Sequence, residues 1–198
     1  MREEDERHSL AGGVMDTTEI EDDFGGVLGL EHQVVRFHEP TPLWAEFYQQ
    51  EESRLRGALA GLGDVLVDIQ HFGSTSIPNI QAKPILDILV GIRRLEDGPR
   101  CIGPLEAIGY EYAPWAGIPG DLTFGKGERR THLVHVVEYG GANWSENIRF
   151  RDALRRDPEL AREYEALKLR LGQEHSESRA DYTEAKTEFI RRINTAAM

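Results

Sequence analysis

Hydrophobic residues recur at helical spacing between residues 43 and 62, where Leu43, Phe47, Leu55, Leu59 and Leu62 fall near one face. Thr41 is placed to cap this helix and Pro42 to take its first position, because proline lacks the N–H that a helix start leaves unbonded. Gly61 and Gly63 end the run. The period then shortens to two at Val65, Val67 and Ile69, which predicts a strand that breaks at Phe72-Gly73-Ser74-Thr75-Ser76. A turn over Pro78–Lys83 leads into Ile85-Leu86-Asp87-Ile88-Leu89-Val90, an apolar run of strand length with one acid inside it. A second helix is predicted over about 98–108, a weak strand over Ile118–Phe124, and a clearer strand over Thr131–Glu138. Alternation puts His132, Val134, Val136 and Glu138 on one face of that last strand, and Leu133, His135 and Val137 on the other.

From Asn143 onward the pattern is helical. Asn143 is placed to cap 144–156, Asp157-Pro158 to start a helix reaching about 173, and Asp181 to start another reaching about 195. Trp144, Phe150, Tyr164 and Phe189 are expected to pack in the core. Upstream of the first helix, Val34–Phe37 reads as a short extended segment. Residues 1–31 show acidic clusters and glycines without a structural period, so they are expected to form a mobile tail. The sum is an α+β (mixed α/β) chain, with a sheet-containing part followed by a helical third.

Charge refines this picture. The chain of 198 residues carries a formal charge of −12, but residues 1–31 hold ten acidic and only two basic side chains. The remainder is close to balance and has no basic stripe, so nonspecific DNA binding is not expected. A small anionic ligand held by a few Lys and Arg fits the composition. One cysteine, Cys101, excludes an intrachain disulfide and is expected to pack. With neither an apolar run of membrane-spanning length nor the apolar segment of a secretory signal, the expected location is cytoplasmic, with no membrane partner.

Chemistry concentrates after the first strand. Glycine lets the chain turn and approach a ligand closely, and the hydroxyls and amides of Gly73, Ser74, Thr75 and Ser76 can cradle phosphate oxygens. Lys83 follows, and then Asp87, flanked by Ile85, Leu86, Ile88 and Leu89; a carboxylate in such a setting needs a cation, a metal or hydrogen-bond donors. A phosphate cradle beside a metal-binding carboxylate suits phosphoryl or nucleotidyl transfer with Mg²⁺. On spacing alone, a plain turn followed by a strand accounts for the same residues. Glu138 is the best further acid for a metal, its other reading being a solvated strand-end glutamate. His132 and His135 face opposite sides of a strand, so packing or hydrogen bonding is the expected role of each.

The stretch His71-Phe72-Gly73-Ser74-Thr75-Ser76-Ile77-Pro78, followed by Ala82-Lys83-Pro84-Ile85-Leu86-Asp87-Ile88, resembles the signature of the GrpB family, which belongs to the nucleotidyltransferase-fold superfamily. The resemblance runs on through His132–Val137, Trp144, Phe150–Leu154, Tyr164, Leu167-Lys168, Tyr182, Ala185-Lys186 and Phe189, covering about Val34 to Ile193. It implies a nucleotidyltransferase-like domain over 32–198, its sheet within about 32–140 and its helical part within about 141–198. It further implies a nucleoside triphosphate bound with Mg²⁺ and a nucleotidyl group passed to an unknown acceptor. Gly73 and Ser74 would contact phosphates, Asp87 would bind the metal, and Arg151, Lys168 and Lys186 would clamp the phosphates. By spacing, Tyr182 and Lys186 are four apart on one helix face and are expected to act together at the rim. The superfamily pattern has a second acid two residues after the first, and this chain has Leu89 there. Two-metal catalysis needs that pair. GrpB-like domains also occur fused to dephospho-CoA kinase, so a catalytically reduced accessory module is the alternative. The kinase's own G-x-x-x-x-G-K-[ST] loop is missing from this sequence.

Overall fold

In a computed structural model, the described residues are 24, 26–31, 35–114, 120–174 and 179–196, the side chains of 179–185 and 196 excepted. Five strands form one sheet: β1 (Leu66–Phe72), β2 (Leu86–Ile92), β3 (Tyr110–Tyr112), β4 (Asp121–Lys126) and β5 (His132–Glu138). Their spatial order is β1-β2-β5-β4-β3. The β2–β5 pair is parallel and every other pair antiparallel. The parallel pair needs a crossover, supplied by the chain between Ile92 and His132.

One face of the sheet carries the main core. Leu86, Ile88, Val90 and Ile92 of β2 and Val134 and Val136 of β5 pack there against Trp44, Leu55 and Leu59 of α1 (Leu43–Leu59) and Leu105 of α2 (Ile102–Glu106). The period-two pattern makes this possible, because each strand sends alternate side chains to the same face. Thr41 Oγ1 accepts the N–H of Leu43 at 3.3 Å, supporting the start of α1. The opposite face is covered by α3 (Ala142–Arg156), and α4 (Pro158–Glu174) and α5 (Arg179–Ala196) pack on it. Asp157 caps α4 by accepting the N–H groups of Glu159 and Leu160 at 3.0 and 3.1 Å. Among the described residues no helix is long and apolar enough to cross a membrane.

Several expectations shift. β1 starts with a bulge: Leu66 pairs with Ile92 and Asp68 with Gly91, so Val67 is the extra residue and stands exposed instead of buried. The helix expected over about 98–108 is a 3₁₀ stretch over Leu95–Cys101 followed by the single turn of α2, since Gly98, Pro99 and Gly103 resist a regular helix. The weak strand runs Asp121–Lys126 rather than Ile118–Phe124; residues 115–119 lie outside the described residues. The three-residue strand β3 was too short to show a period.

The N-terminal boundary also moves. Most of the expected tail, 1–23 and 25, lies outside the described residues, but Leu28 and Leu30 are buried and Phe24 and Val27 pack against the main core. Leu30 exchanges backbone hydrogen bonds with Arg130 at 3.1 and 2.9 Å. Packed chain therefore begins before residue 31. The four apolar side chains are spread between glycines, which hid their periodicity. Leu30→Ala should cost about 2–5 kcal/mol, the range for emptying a fully buried leucine site. Removing residues 1–31 should lower the melting temperature clearly; an unchanged melt would show that this packing contributes nothing.

Candidate functional site

The loop after β1 is built around Asp87. Phe72 and Asp87 are register partners, so the chain leaves β1 directly beside this carboxylate. Gly73 has φ 67° and ψ −173°, a conformation available essentially to glycine alone. A Cβ on Gly73 would lie 2.1 Å from Asp87 Oδ2 and 2.8 Å from Asp87 Cβ. The missing side chain is thus the space in which the carboxylate sits.

The other loop residues divide sharply. Ser74 faces the cavity described below. Thr75 and Ser76 are buried and their hydroxyls serve the loop: Thr75 donates to the Ile85 carbonyl at 3.2 Å, and Ser76 donates to the Gly73 carbonyl at 2.7 Å. Their expected part in phosphate binding is corrected accordingly. With its proton on Ile85, Thr75 Oγ1 accepts from His71 Nε2–H at 3.0 Å, which assigns the imidazole tautomer. Burial, and then the charges of Arg155 and Arg151, push the His71 pKa down to about 3. It is a neutral structural link between β1 and the loop.

A cavity of about 360 Å³ opens over this face of the sheet. The sheet contributes Asp87 and Leu89 from β2, Leu133, His135 and Val137 from β5, and Asp121 from β4. Helix α3 contributes Asn143, Asn147, Phe150, Arg151 and Leu154, whose spacing of three and four places them on one helical stripe. Tyr164 of α4 and Lys186 and Ile190 of α5 close the side, and Lys83 lies on the loop before β2. Ile77 and Ile80 of that loop pack with Leu154, Ala161 and Tyr164, which ties the C-terminal helices to the Gly73 turn. Phe150 and Phe189 join that cluster, and Trp144 packs with Leu89 and Val137, in line with their expected core roles.

The expected cationic residues separate into two groups. Lys83, Arg151 and Lys186 line the cavity. Arg151 also braces β1, donating to Gln70 Oε1 at 2.7 Å, to the His71 carbonyl at 3.0 Å and to Asp152 at 2.8 Å. Arg155, which the sequence did not single out, donates to the Ser76 carbonyl at 2.9 Å. Lys168 is not a clamp: it is buried away from the cavity, with Nζ donating to the Gln81 carbonyl at 2.6 Å over the Tyr164 ring. The side chain of Tyr182 lies outside the described residues.

Glu138 is corrected as a metal ligand beside Asp87. Asp87 pairs with Leu133 and Ile92 with Glu138, so the two acids are five register positions apart, roughly 16 Å, and of opposite parity. Glu138 instead accepts the Leu95 N–H at 3.4 Å. Leu89, where the expected pattern has its second acid, is fully buried in the cluster with Val137 and Trp144. Among the described residues no group of three His, Cys, Asp or Glu is arranged to hold a metal ion. A Mg²⁺ ion here would rest on Asp87 as its protein carboxylate, its remaining positions taken by waters and phosphate oxygens, a coordination typical of this ion.

The polar pair the sequence reading missed is His135–Asp121. Asp121 Oδ2 accepts from His135 Nδ1 at 2.7 Å, and Asp121 is largely buried. Burial disfavours the charged imidazole, but the bonded Asp121 carboxylate and the nearby Asp87 outweigh it, and the His135 pKa stands above its ordinary value. The alternation along β5 correctly turned His135 toward the Asp87 face. Pairing it with Asp121 needed the β4–β5 register, in which Asp121 sits opposite Val137, diagonal to His135.

Comparison with known proteins gives this site its relatives. The family profile described as GrpB protein matches residues 34–196. The glutamate-rich protein GrpB of Alkalihalophilus pseudofirmus is 38% identical over 156 residues, covering 76% of this chain and 88% of that one. The UPF0157 protein YqkA of Bacillus subtilis is 39% identical over 149 residues, covering 75% of this chain but only 43% of that one. The crystal structure of conserved protein GrpB from Enterococcus faecalis superposes with a TM-score of 0.72 at 34% identity, covering 82% of this chain and 96% of that one. With the profile spanning the sheet, the Gly73 loop and the C-terminal helices, the chain belongs to the GrpB family.

Proposed function

We propose that the cavity binds a nucleoside triphosphate, with Mg²⁺ on Asp87 and the phosphates reaching toward Ser74, Lys83 and Lys186. The observation that carries this reading is the Asp87 carboxylate seated against Gly73 at the mouth of a turn, in a cavity whose other walls supply cations. Mg²⁺ would offset the charge between carboxylate and phosphate. The cationic side chains would neutralise the outer phosphates, and the apolar wall of Leu133, Val137 and Phe150 would receive the less polar part of the ligand.

Leu89 supports a second reading of the same cavity, binding without nucleotidyl transfer. Its apolar side chain packs with Val137 and Trp144 and cannot bind a cation, so the second acid of a two-metal site has no counterpart on β2. Transfer to an acceptor would have to run on one metal assisted by side chains.

Both readings are tested by adding ATP, GTP, CTP or UTP to the full chain with Mg²⁺ or Mn²⁺. Melting temperature reports binding, which stabilises in proportion to the logarithm of ligand concentration over dissociation constant. Pyrophosphate release reports transfer. A concentration-dependent upward shift with the metal is expected; its absence for all four nucleotides would remove the proposal. A shift without pyrophosphate, across a panel of hydroxyl and amine acceptors, would favour the binding module.

A further inference from the structure

Along β2 the cavity face offers one carboxylate and then the apolar Leu89, but the neighbouring strand answers that gap. His135 is the register partner of Leu89, and it also lies diagonal to Asp87, whose own partner is Leu133. Its Nδ1 is held by Asp121 Oδ2 at 2.7 Å, and the edge of the Phe72 ring packs against it at 5.4 Å between centroids. Asp121 is only 5% exposed and also accepts the Thr123 hydroxyl at 3.3 Å, so the imidazole is fixed in direction from behind. The side chain is 22% exposed and lines the cavity, and among the described residues nothing bonds Nε2.

Among the described residues, the other ionisable groups lining the same cavity are Asp87 from β2, Asp121 from β4, Lys83 from the loop, Arg151 from α3, Tyr164 from α4 and Lys186 from α5. An imidazole held at Nδ1 presents to a ligand whatever Nε2 carries: a lone pair when neutral, an N–H when charged. Asp121 bonds this ring at Nδ1, and a phosphate-bearing ligand would bring further negative charge toward Nε2. Both favour the N–H.

We propose that His135 is a ligand-contacting residue: with Nδ1–H held on Asp121, its Nε2–H donates to an anionic oxygen of the bound ligand, supplying positive charge at the position across from Leu89. Asp121 is then a positioning residue. This rests on the reading of the cavity as a nucleotide site and adds the group that meets the phosphate from the β5 side.

The test uses the full chain with Mg²⁺ and either ATP or inorganic tripolyphosphate. Affinity is read by calorimetry, and the imidazole nitrogens by ¹⁵N spectra, with His135→Gln identifying the resonances. With wild type, the His135 Nε2 signal should move on saturation by either ligand, and both ring nitrogens should be protonated in the complex. His135→Leu should weaken both ligands by about tenfold or more, the scale of one charge-assisted hydrogen bond. His135→Gln, which keeps an N–H without the charge, should recover part of the loss, and Asp121→Asn should weaken binding several-fold. Binding by wild type with an unmoved Nε2 signal, or His135→Leu within twofold of wild type, overturns this role and leaves the nucleotide reading standing. Failure of wild type to bind either ligand overturns both. Should His135→Leu fail to fold, the wild-type spectra alone decide.

Discussion

Gly73→Ala should destabilise the protein by about 2–6 kcal/mol and abolish the ligand response of the cavity. Two penalties combine. The backbone at φ 67°, ψ −173° is tolerated essentially by glycine and costs a side-chain-bearing residue of order 1–3 kcal/mol. The new methyl would also occupy the position of the Asp87 carboxylate, 2.1 Å from Oδ2, and overpacking of this kind costs about 1–3 kcal/mol. Relief requires Asp87 to move, which is why binding should fall with stability. Gly61→Ala is the control, because nothing lies within 4 Å of its added Cβ. Urea titrations of the two variants should differ widely; equal curves would mean that the Gly73 turn is not the seat of the carboxylate.

Lys168 should leave a mark on the pH dependence of stability. Burial, and then repulsion from Lys186, push its pKa from 10.5 down to about 7. The unfolded chain therefore binds more protons than the folded one between about pH 7 and 10.5, so stability rises with pH across that window. The gain is complete above the unfolded value and lost as pH falls through about 7. Lys168→Met removes the titrating ammonium while keeping an unbranched side chain of similar length. The wild-type stability measured against Lys168→Met should climb by several kcal/mol from pH 6.5 to 10. A flat difference would show that the ammonium is as well stabilised in the folded state as in water, contrary to its burial.

Which of these features could be read beforehand follows from the range of the interactions that make them. The helices α1 and α4 and the strands β2 and β5 were legible because each carries its own period or cap, as Asp157 does for α4. Helix α3 lies where it was expected, but it starts at Ala142 after Gly141, so Asn143 is inside the helix and does not cap it. The Gly73 loop and Asp87 were legible as chemistry, since an acid amid Ile85, Leu86, Ile88 and Leu89 demands a partner. The fate of Thr75 and Ser76 was not, because a hydroxyl in a turn can serve a ligand or the turn itself, and only the positions of Ile85 and Gly73 decide. Lys168 misled for a related reason: on a helix its residue type suggests an anion clamp, whereas the fold sets its ammonium against a carbonyl 87 positions away in sequence. Glu138 and Asp121 are the same lesson in a sheet. Both are acids near strand ends and they are neighbours in register, Asp121 lying opposite Val137. What separates them is the face, Glu138 sharing the side of Val134 and Val136 and Asp121 standing on the cavity side with His135.

Asp87 stands where the Gly73 turn, the sheet and the cavity meet, and thermal melts of wild type and Asp87→Asn, each with and without Mg²⁺ and nucleoside triphosphate, test its role most directly. Asparagine keeps the shape of the side chain against Gly73, so the variant without ligand should lie within about 1 kcal/mol of wild type. Wild type should be stabilised by the metal and nucleotide together, and the variant should lose that response. A variant destabilised by several kcal/mol, together with a wild type that ignores nucleotide, would make Asp87 a structural acid and contradict the account.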